Sequence, residues 1–428
     1  MWCAVQSVRS LDPKARIVVY TGDVGFSGAE ILTRARERFS LDVPSDVDFV
    51  FLRYRGIVEP SAHPYATLLL QSLAGALLTF EALVRLYPDV FIDTMGYAFG
   101  YPVVRLTGPA RVACYVHYPT VSTDMLGKVG TGSLRALIKS AYYAAFAVLY
   151  GLAGRAAEVV TVNSSWTRGH VERIWGARPS IVYPPCNTRV LVDAIPLPLP
   201  PSTTTSTGRS AAKGGKVQRR ERTIVSVAQF RPEKDHPKQV DALALLRRNA
   251  SDLADVRLVL VGSCRGPEDQ ARVEALRKQC ASHGLRVPED VELCVNAPFS
   301  ELRAKLASGT VGLHTMWMEH FGIGIVEYMA AGLVPVAHNS GGPRADIVVP
   351  LRGQSTGFLA DTAEEFADRI AEVFRMSDAE RARIQHAARE SVTERFSDET
   401  FRDEFATSMA PLINGTTDVG ASSGKKRA

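Results

Sequence analysis

Short apolar runs rich in β-branched residues alternate with longer helical patterns along almost the whole chain, and this rhythm limits the fold more than any other feature. Apolar runs that end in Gly, Asp, Asn or Pro are typical of parallel strands buried on both faces, with crossover helices between them. The predicted strands lie in the segments RIVVYTGD, DFVFLRY, DVFIDTM, RVACYVHYP, VVTVNSS, SIVYPP, TIVSVAQF, VRLVLVGS, VELCVN, VGLHTM and VPVAHN. The pattern therefore predicts α/β architecture in each half of the chain.

A segment of different composition separates the two halves. Residues 193–222, DAIPLPLPPSTTTSTGRSAAKGGKVQRRER, are rich in Pro, Ser, Thr and Gly before they turn basic, and no apolar period crosses them. Such a segment is typical of a flexible linker or surface insertion. We therefore predict Rossmann-like domains over 1–192 and 223–411, and a disordered polar tail over 412–428.

Composition narrows the class of partner and the compartment. The formal net charge of +5 is too weak to indicate nucleic-acid binding, but it suits anionic partners such as diphosphates or lipid head groups. Six scattered cysteines without a CxxC pair favour reduced core thiols over a disulfide framework or zinc site. Two apolar stretches, Pro64–Phe80 and Ser140–Gly154, fall short of the ~20 residues that span a bilayer. They are interpreted as helices packed on a sheet, with docking on an anionic membrane as the alternative for the second.

The segment HTMWMEHFGIGIVEYMAAG carries the most chemical information. A predicted strand leads through a loop with Glu319 into a helix that starts near Phe321 and Gly322 and ends at Gly332. Unpaired N–H groups and the helix dipole at such a start suit phosphate oxygens. Glu327 follows Glu319 at the spacing E-x7-E, so both carboxylates can face one ligand of sugar-nucleotide length and accept from its hydroxyls. The alternative is a solvated glutamate on a surface helix.

Three further signals lie at predicted strand ends. Arg231 and Lys234 follow TIVSVAQF, where open α/β sheets bind ligands, and they could neutralise a diphosphate leaving group without a metal. The glycines of the loop 339–343, NSGGP, could provide amides near a donor sugar or phosphate. His117 ends a strand of the first domain and could contact a sugar from the interdomain side. The corresponding alternatives are two solvated charges, a plain turn and a histidine satisfied in the core.

Two other motifs are interpreted as structural. Asp46-Val47-Asp48 spells the DxD that holds a metal in other transferases, but it enters a predicted strand far along the chain from the phosphate candidates. Asn163-Ser164-Ser165 is a glycosylation sequon. It ends a predicted buried strand, so we expect it to cap the next helix and to remain unmodified.

Taken together, these residues resemble the retaining GT-B glycosyltransferases of the glycogen-synthase and mannosyltransferase superfamily. More narrowly, the chain is similar to the family of GDP-mannose α-1,2-mannosyltransferases of asparagine-linked glycosylation over about residues 16–400. The similarity is carried by VVYTGD, FVFLRY, FIDTMGYAFGYP, YVHYPTVSTDML, VNSSWT, QFRPEKDHP, GLHTMWMEHFGIGIVEYMAAG and AHNSGGP. The resemblance implies two Rossmann-like domains that face each other across a cleft, the first binding the acceptor and the second the nucleotide sugar.

The resemblance also implies an activity. Mannose would pass from GDP-mannose in α-1,2 linkage, with retention and without a metal or other cofactor, to dolichyl-diphosphate-linked Man3GlcNAc2 and Man4GlcNAc2. The reaction would take place at the cytosolic face of the endoplasmic reticulum membrane, beside other mannosyltransferases of the pathway.

By the same analogy Glu327 holds the ribose, Glu319 the mannose, Arg231 and Lys234 the diphosphate, and His117 a sugar from the acceptor side. Four of these residues, Glu319, His117, Arg231 and Lys234, are the implied catalytic set. The implied donor-binding residues are Arg231, Lys234, Glu319, Phe321, Gly322, Ile323, Glu327, Gly341 and Gly342.

The chain departs from the family pattern in two places. Family members begin with a membrane-spanning helix, a first strand and a glycine-rich loop, whereas Met1-Trp2-Cys3 is predicted to lie within the helix that follows that loop. Met318 stands where Asn is usual before the first Glu. Competing functions are a retaining hexosyltransferase with another donor or acceptor and a catalytically impaired, N-terminally truncated scaffold. A dinucleotide-dependent oxidoreductase is disfavoured, because no G-x-G-x-x-G follows a predicted strand.

Overall fold

The computed structural model groups the chain into two compact units. Unit 1 comprises Met1–Pro185 with Asp398–Ala428, and unit 2 comprises Cys186–Ser397. The structure describes residues 1–39, 42–59, 62–121, 134–198 and 220–423. Both units are built from parallel strands and helices, as predicted.

Helices and strands alternate through most of the described chain. The helices are α1 Trp2–Leu11, α2 Gly28–Phe39, α3 Thr67–Arg85, α4 Gly100–Thr107, α5 Leu134–Gly154, α6 Ser165–Trp175, α7 Thr188–Ala194, α8 His236–Asn249, α9 Pro267–Ser282, α10 Phe299–Ser308, α11 Ile323–Ala331, α12 Ala363–Arg375, α13 Asp378–Arg395 and α14 Asp398–Ser423. The strands are β1 Val18–Thr21, β2 Asp48–Phe51, β3 Val90–Asp93, β4 Arg111–Val116, β5 Val159–Val162, β6 Ser180–Ile181, β7 Thr223–Val227, β8 Arg257–Gly262, β9 Val291–Val295, β10 Val311–His314, β11 Val334–His338 and β12 Phe358–Ala360. Every predicted strand segment contains one of β1 to β11, so these predictions are confirmed. Strand β12 was not predicted because its short run FLA lacks a β-branched residue.

Unit 1 contains two parallel sheets, β1-β2 and β3-β4-β5-β6. Strand β4 lies between two neighbours, and its continuous apolar run is buried on both faces, as is usual for an interior parallel strand. Tyr101 of α4 and Trp175 of α6 are fully buried against this sheet, with ring centroids 6.3 Å apart. These aromatic side chains form the centre of the unit's main core.

The last helix, α14, packs in unit 1 and not in the domain predicted over 223–411. Its buried side chains Phe401, Phe405, Met409, Leu412 and Ile413 form one core with residues of α1 and β4. The units therefore divide between Pro185 and Cys186 and again between Ser397 and Asp398, whereas the predicted domains ended at 192 and 411. The tail predicted to be disordered from 412 is helical as far as Ser423. The i, i+4 apolar stripe of α14 is stabilised by α1, a partner almost four hundred positions away in sequence, so local polarity after 413 was a poor guide.

Most of the predicted linker 193–222 falls outside the described residues. Where the description resumes, Arg220 is part-buried and donates through its guanidinium to the carbonyl oxygens of Leu306 at 3.3 Å and Ala331 at 2.6 Å. These carbonyls belong to the last turns of α10 and α11. The end of the predicted linker therefore caps the helix that carries the candidate site.

Unit 2 has one six-stranded parallel sheet with the order β9-β8-β7-β10-β11-β12. Its first strand, β7, pairs with β8 on one side and with β10 on the other. The direction of the strand order reverses between β7 and β10, which makes this the topological switch point of a doubly wound sheet. Loops that leave the carboxyl ends of these two strands are the expected ligand-binding loops.

Two helices of unit 1 are longer than the apolar stretches predicted for them. By length and composition, α3 (19 residues) and Arg135–Gly154 of α5 (20 residues) are each long and apolar enough to cross a membrane. Only 33% of the α3 window and 22% of the α5 window is buried within the protein. The predicted packing on a sheet can therefore bury only a minority of the residues in each of these windows.

The motifs interpreted as structural take structural positions. Asp48 begins β2, and the Asp46 and Asp48 carboxylates each pair with an arginine, at 2.8 and 2.7 Å. Ser164 caps α6 by accepting from the Thr167 amide, and Asn163 is buried, which confirms the predicted cap. All six cysteines are free thiols, five of them buried, as predicted.

Candidate active site

The predicted cationic and acidic residues of unit 2 lie on loops that leave neighbouring strands. Strands β7 and β10 pair in parallel, with Val311 beside Ile224. Arg231 and Lys234 follow β7, and Glu319 follows β10, so both loops emerge at the same edge of the sheet. Their position is the switch point at which doubly wound sheets bind ligands.

Glu319 is the centre of a compact charged group. Its Oε2 lies 2.6 Å from Lys234 Nζ and 3.2 Å from His314 Nε2. Lys234 Nζ also lies 3.1 Å from Met316 Sδ. The side chains of Lys234 and Glu319 keep only 21% and 13% of their surface in solvent, so the ion pair is largely shielded from water.

The electrostatics of this group keep Glu319 ionised. Burial opposes ionisation, but the neighbouring His314 imidazole and then the Lys234 ammonium outweigh it and hold the pKa of Glu319 far below its usual value. His314 was not among the predicted site residues. The available signal was its place at the end of the strand segment VGLHTM, five positions before Glu319.

The loop after β7 is tied to the loop after β10 through Thr315. The Thr315 hydroxyl lies 3.0 Å from the carbonyl oxygens of Lys234 and Asp235 and accepts from Gln239 Nε2 at 2.9 Å. Asp235 adopts a left-handed conformation with φ +49°, which ends the 3-10 turn Pro232–Lys234 and starts α8. Lys234 therefore reaches Glu319 from a fixed backbone.

Arg231 differs from Lys234 in that its charge is not paired. Within the described parts of the chain, its half-buried guanidinium forms no ion pair or hydrogen bond. The prediction treated the two cations alike. The structure instead pairs Lys234 with Glu319 and leaves Arg231 available to an anionic ligand.

The start of α11 offers backbone donors beside a carboxyl group without a partner. Gly322 has φ +118°, a conformation open to glycine, and the Ile323 side chain is 46% exposed. The amides of Ile323 and Gly324 have no acceptor among the described residues. The Glu327 carboxyl likewise has no described partner, and burial raises its pKa to about 7.

Phe321 does not present its ring to this site. The side chain is 3% exposed and packs edge-on against Phe396, with ring centroids 5.2 Å apart. Of the predicted donor-binding residues, Phe321 can therefore act only through its backbone.

Gly341 and Gly342 bring the loop after β11 against the Glu319 loop. The Gly342 amide donates to the Glu319 carbonyl at 2.8 Å, so it is not available to a ligand as predicted. Gly341 has φ +58°, and a β-carbon there would lie 2.3 Å from the Glu319 carbonyl oxygen. A β-carbon at Gly342 would lie 2.5 Å from the Phe321 carbonyl oxygen. Both positions thus require glycine for close backbone approach.

His117 belongs to unit 1, at the end of β4. Its ring is exposed, packs edge-on against Tyr115 at 4.9 Å, and places Nε2 3.2 Å from the Thr94 carbonyl oxygen. The loop that includes Thr94 is held by Asp93, which is buried and accepts from the Tyr97 amide and from the Tyr101 hydroxyl at 2.8 and 2.6 Å. Burial outweighs these hydrogen bonds and raises the pKa of Asp93. The role of His117 toward a sugar stays a prediction.

One group of side chains in the described chain is close enough to hold a metal ion, and it lies away from the switch point. Glu292, Cys294 and Glu301 lie around β9, the edge strand of the sheet. Lys305 Nζ pairs with both carboxylate oxygens of Glu292, at 2.7 and 2.8 Å. The Glu292 carboxylate therefore already has a cationic partner.

Comparison with known proteins connects this geometry to a family. Residues 1–175 match the family described as ALG11 mannosyltransferase N-terminus, and residues 211–391 match Glycosyl transferases group 1. The GDP-Man:Man(3)GlcNAc(2)-PP-Dol alpha-1,2-mannosyltransferase of Mus musculus is 45% identical over 96% of this chain and 83% of its own length. The proteins of the same name from Homo sapiens and Dictyostelium discoideum are 44% and 39% identical, over 96% and 100% of this chain and 83% and 84% of their own.

Solved structures agree with the fold of both units. The OtsA apo structure has a TM-score of 0.66 at 13% identity, covering 93% of this chain and 99% of its own. Anabaena Alr3699/HepE in complex with UDP and glucose has a TM-score of 0.60 at 17% identity, covering 95% of each chain. At such identities the likeness shows the fold alone, and that fold is the GT-B class expected from the sequence.

Proposed function

The chain belongs to the GDP-Man:Man(3)GlcNAc(2)-PP-Dol alpha-1,2-mannosyltransferase family and is a glycosyltransferase, and we propose how its residues carry out mannosyl transfer. The donor is GDP-mannose, and the acceptors are dolichyl-diphosphate-linked Man3GlcNAc2 and Man4GlcNAc2. The observation that carries the proposal is the shielded Lys234–Glu319 ion pair at the switch point of unit 2, beside an unpaired arginine.

The donor diphosphate binds between Arg231 and the first turn of α11. The unpaired guanidinium can form two parallel hydrogen bonds to phosphate oxygens, and the amides of Ile323 and Gly324 add donors at the positive end of the helix dipole. Lys234 contributes charge from its position beside Glu319. These groups neutralise the diphosphate without a metal ion.

Glu327 accepts from the ribose hydroxyls of the donor. Its carboxyl has no partner in the described chain, and burial raises its pKa to about 7. Two ribose hydroxyls would supply the missing hydrogen bonds and favour the ionised form. Glu319, already ionised and fixed by Lys234, accepts from hydroxyls of the transferred mannose.

Transfer proceeds by displacement on one face of the mannose ring. The bond from the anomeric carbon to the diphosphate oxygen breaks, and the bond to the acceptor hydroxyl oxygen forms on the same side. The acceptor proton passes to the departing diphosphate oxygen, so no protein base is required. Arg231, Lys234 and the α11 amides stabilise the charge that grows on the leaving group. His117 contacts a sugar from unit 1.

The lipid acceptor places the reaction at a membrane surface, which we assign to the cytosolic face of the endoplasmic reticulum. Five apolar side chains of α3 that are 41–71% exposed recur at the spacing of one helix face: Leu70, Leu73, Leu77, Phe80 and Val84. The Leu69 amide of α3 donates to the Tyr142 hydroxyl of α5 at 3.1 Å, so the two helices adjoin. A row of exposed apolar side chains along one helix face is typical of membrane docking, and Arg135 and Lys139 on α5 suit anionic lipids.

The proposal is tested with purified protein and a lipid-linked Man3GlcNAc2 acceptor. GDP-mannose should give products that are one and two mannoses longer than the acceptor, and an α-1,2-mannosidase should remove the added mannoses. UDP-glucose and GDP-glucose should give no product. Transfer from another donor would replace the substrate assignment. A folded protein that transfers from no donor would favour the scaffold alternative.

A further inference from the structure

The loop that carries Glu319 contains a residue whose backbone conformation is intrinsically unfavourable. Met318 has φ +55°, a left-handed conformation that a side chain with a β-carbon rarely adopts. Such a conformation persists only where surrounding groups hold it. The groups that hold Met318 therefore also hold the carboxylate of the residue that follows.

Ser340 supplies the direct contact. The Met318 amide donates to Ser340 Oγ at 2.8 Å. Ser340 Oγ also lies 3.0 Å from His338 Nδ1, so the one hydroxyl is hydrogen-bonded to both the Met318 amide and the His338 ring. His338 is 5% exposed and ends β11, so the hydroxyl is anchored to the end of a buried strand.

The two residues after Ser340 hold the other side of the same loop. The Gly342 amide donates to the Glu319 carbonyl at 2.8 Å, and Gly341 lies directly against the Glu319 backbone. Residues 340–342 thus contact the backbone on both sides of the Glu319 side chain, at the Met318 amide before it and at the Glu319 carbonyl after it. Lys234 then sets the position of the carboxylate itself.

We propose that Ser340 is a positioning residue for mannosyl transfer, which orients the Glu319 carboxylate through the Met318 amide, and that His338 sets the orientation of the Ser340 hydroxyl. This rests on the proposed role of Glu319 toward the transferred sugar. Ser340 acts through Glu319 and is not assigned a contact with substrate.

The first test compares Ser340→Ala with Ser340→Thr in the full chain, with GDP-mannose and the lipid-linked acceptor. A misplaced carboxylate should lower kcat about 10-fold to 100-fold while KM for GDP-mannose changes by less than about threefold. Ser340→Thr keeps the oxygen and should retain most of the wild-type kcat. Wild-type kcat in Ser340→Ala, or equal losses in both variants, would overturn the proposal.

A second test separates positioning from general loss of structure. In a Glu319→Gln background, Ser340→Ala should change the residual kcat less than about twofold, because the two substitutions remove one function. Asn tolerates the left-handed region, so Met318→Asn added to Ser340→Ala should restore part of the lost kcat. Fully additive losses would contradict a role through Glu319. Wild-type kcat in Glu319→Gln alone would instead refute the proposed role of Glu319.

Discussion

Lys234 Nζ lies 2.6 Å from Glu319 Oε2, and this ion pair joins the loop after β7 to the loop after β10. The two residues are separated by 85 positions in sequence. From the sequence, Lys234 is expected to bind the diphosphate. In the structure it also keeps the Glu319 carboxylate, which is proposed to bind mannose, ionised and in position.

Lys234→Ala should impair both turnover and stability. Without the ammonium, the pKa of Glu319 rises and the leaving diphosphate loses a cation, so kcat should fall about 100-fold or more. The free energy of unfolding at pH 7 should fall by about 1–3 kcal/mol, because a shielded carboxylate loses its partner. Steady-state transfer assays and urea unfolding measure these effects. Lys238→Ala is the control, since Lys238 pairs with Asp235 at 3.1 Å.

The acid side of the stability profile should change in the same variant. The depressed pKa of Glu319 contributes stability above the unfolded value of about 4.5, and this contribution is lost as pH falls toward the folded pKa. The wild type should therefore lose stability on acidification more steeply than Lys234→Ala. Parallel profiles for the two proteins would contradict the assigned electrostatics.

Arg231→Ala should affect substrate binding without affecting folding. The guanidinium has no partner among the described residues, so its removal should leave the melting temperature within about 1 °C. Loss of its contacts to the diphosphate should raise KM for GDP-mannose about tenfold or more and lower kcat as well. Arg222→Ala, which removes an exposed pair with Asp255, is the control for charge alone. A clear loss of stability in Arg231→Ala would show that the guanidinium has a structural partner.

Glu327→Gln should make stability less dependent on pH. Burial raises the pKa of Glu327 from 4.5 to about 7, so the folded protein binds this proton more tightly than the unfolded chain. Stability from this group is fully present below about pH 4.5 and is lost as pH rises toward 7. The free energy of unfolding of Glu327→Gln, relative to that of the wild type, should therefore increase by about 1–3 kcal/mol as pH rises from 5 to 8. Urea unfolding at each pH measures this difference. The same substitution should weaken GDP-mannose binding, and unchanged affinity would contradict the ribose contact.

Leu73→Glu with Leu77→Glu should release the protein from lipid. Both side chains lie on the exposed face of α3, so the charges should not disturb the core but should reduce the fraction bound to vesicles at least about tenfold. Cosedimentation with phosphatidylcholine vesicles containing one-fifth phosphatidylserine measures binding. Leu106→Glu, at an 86% exposed position of α4 outside this face, is the control. Equal binding by wild type and the double variant would exclude this docking surface.

The elements that carry the site could be predicted because their signals are local. Apolar runs such as TIVSVAQF and VGLHTM are too short and too apolar for amphipathic helices, and β7 and β10 lie within them. Arg231 and Glu319 were recognised because polar residues at the ends of buried strands have few structural reasons to be there.

Other roles could not be predicted in the same way. These are the contacts that His314, Ser340, Gly341 and Gly342 make with the Glu319 loop. In the sequence, His314 resembles any histidine that ends a strand. Only the structure shows that its Nε2 lies 3.2 Å from the Glu319 carboxylate. The glycines resemble a phosphate-binding turn until their backbone is seen against the Glu319 loop. Each of these roles is a contact between loops, and loop contacts leave no periodic pattern in the sequence.

The sequence by itself determined the strands and helices, the family resemblance and the kinds of side chain at the strand ends, since each depends on neighbouring positions. The tertiary structure decided that β7 lies beside β10, that Lys234 is paired while Arg231 is not, and that α14 packs on α1. Strand order and helix docking depend on burial of apolar surface between distant parts of the chain, which no local stretch of sequence encodes.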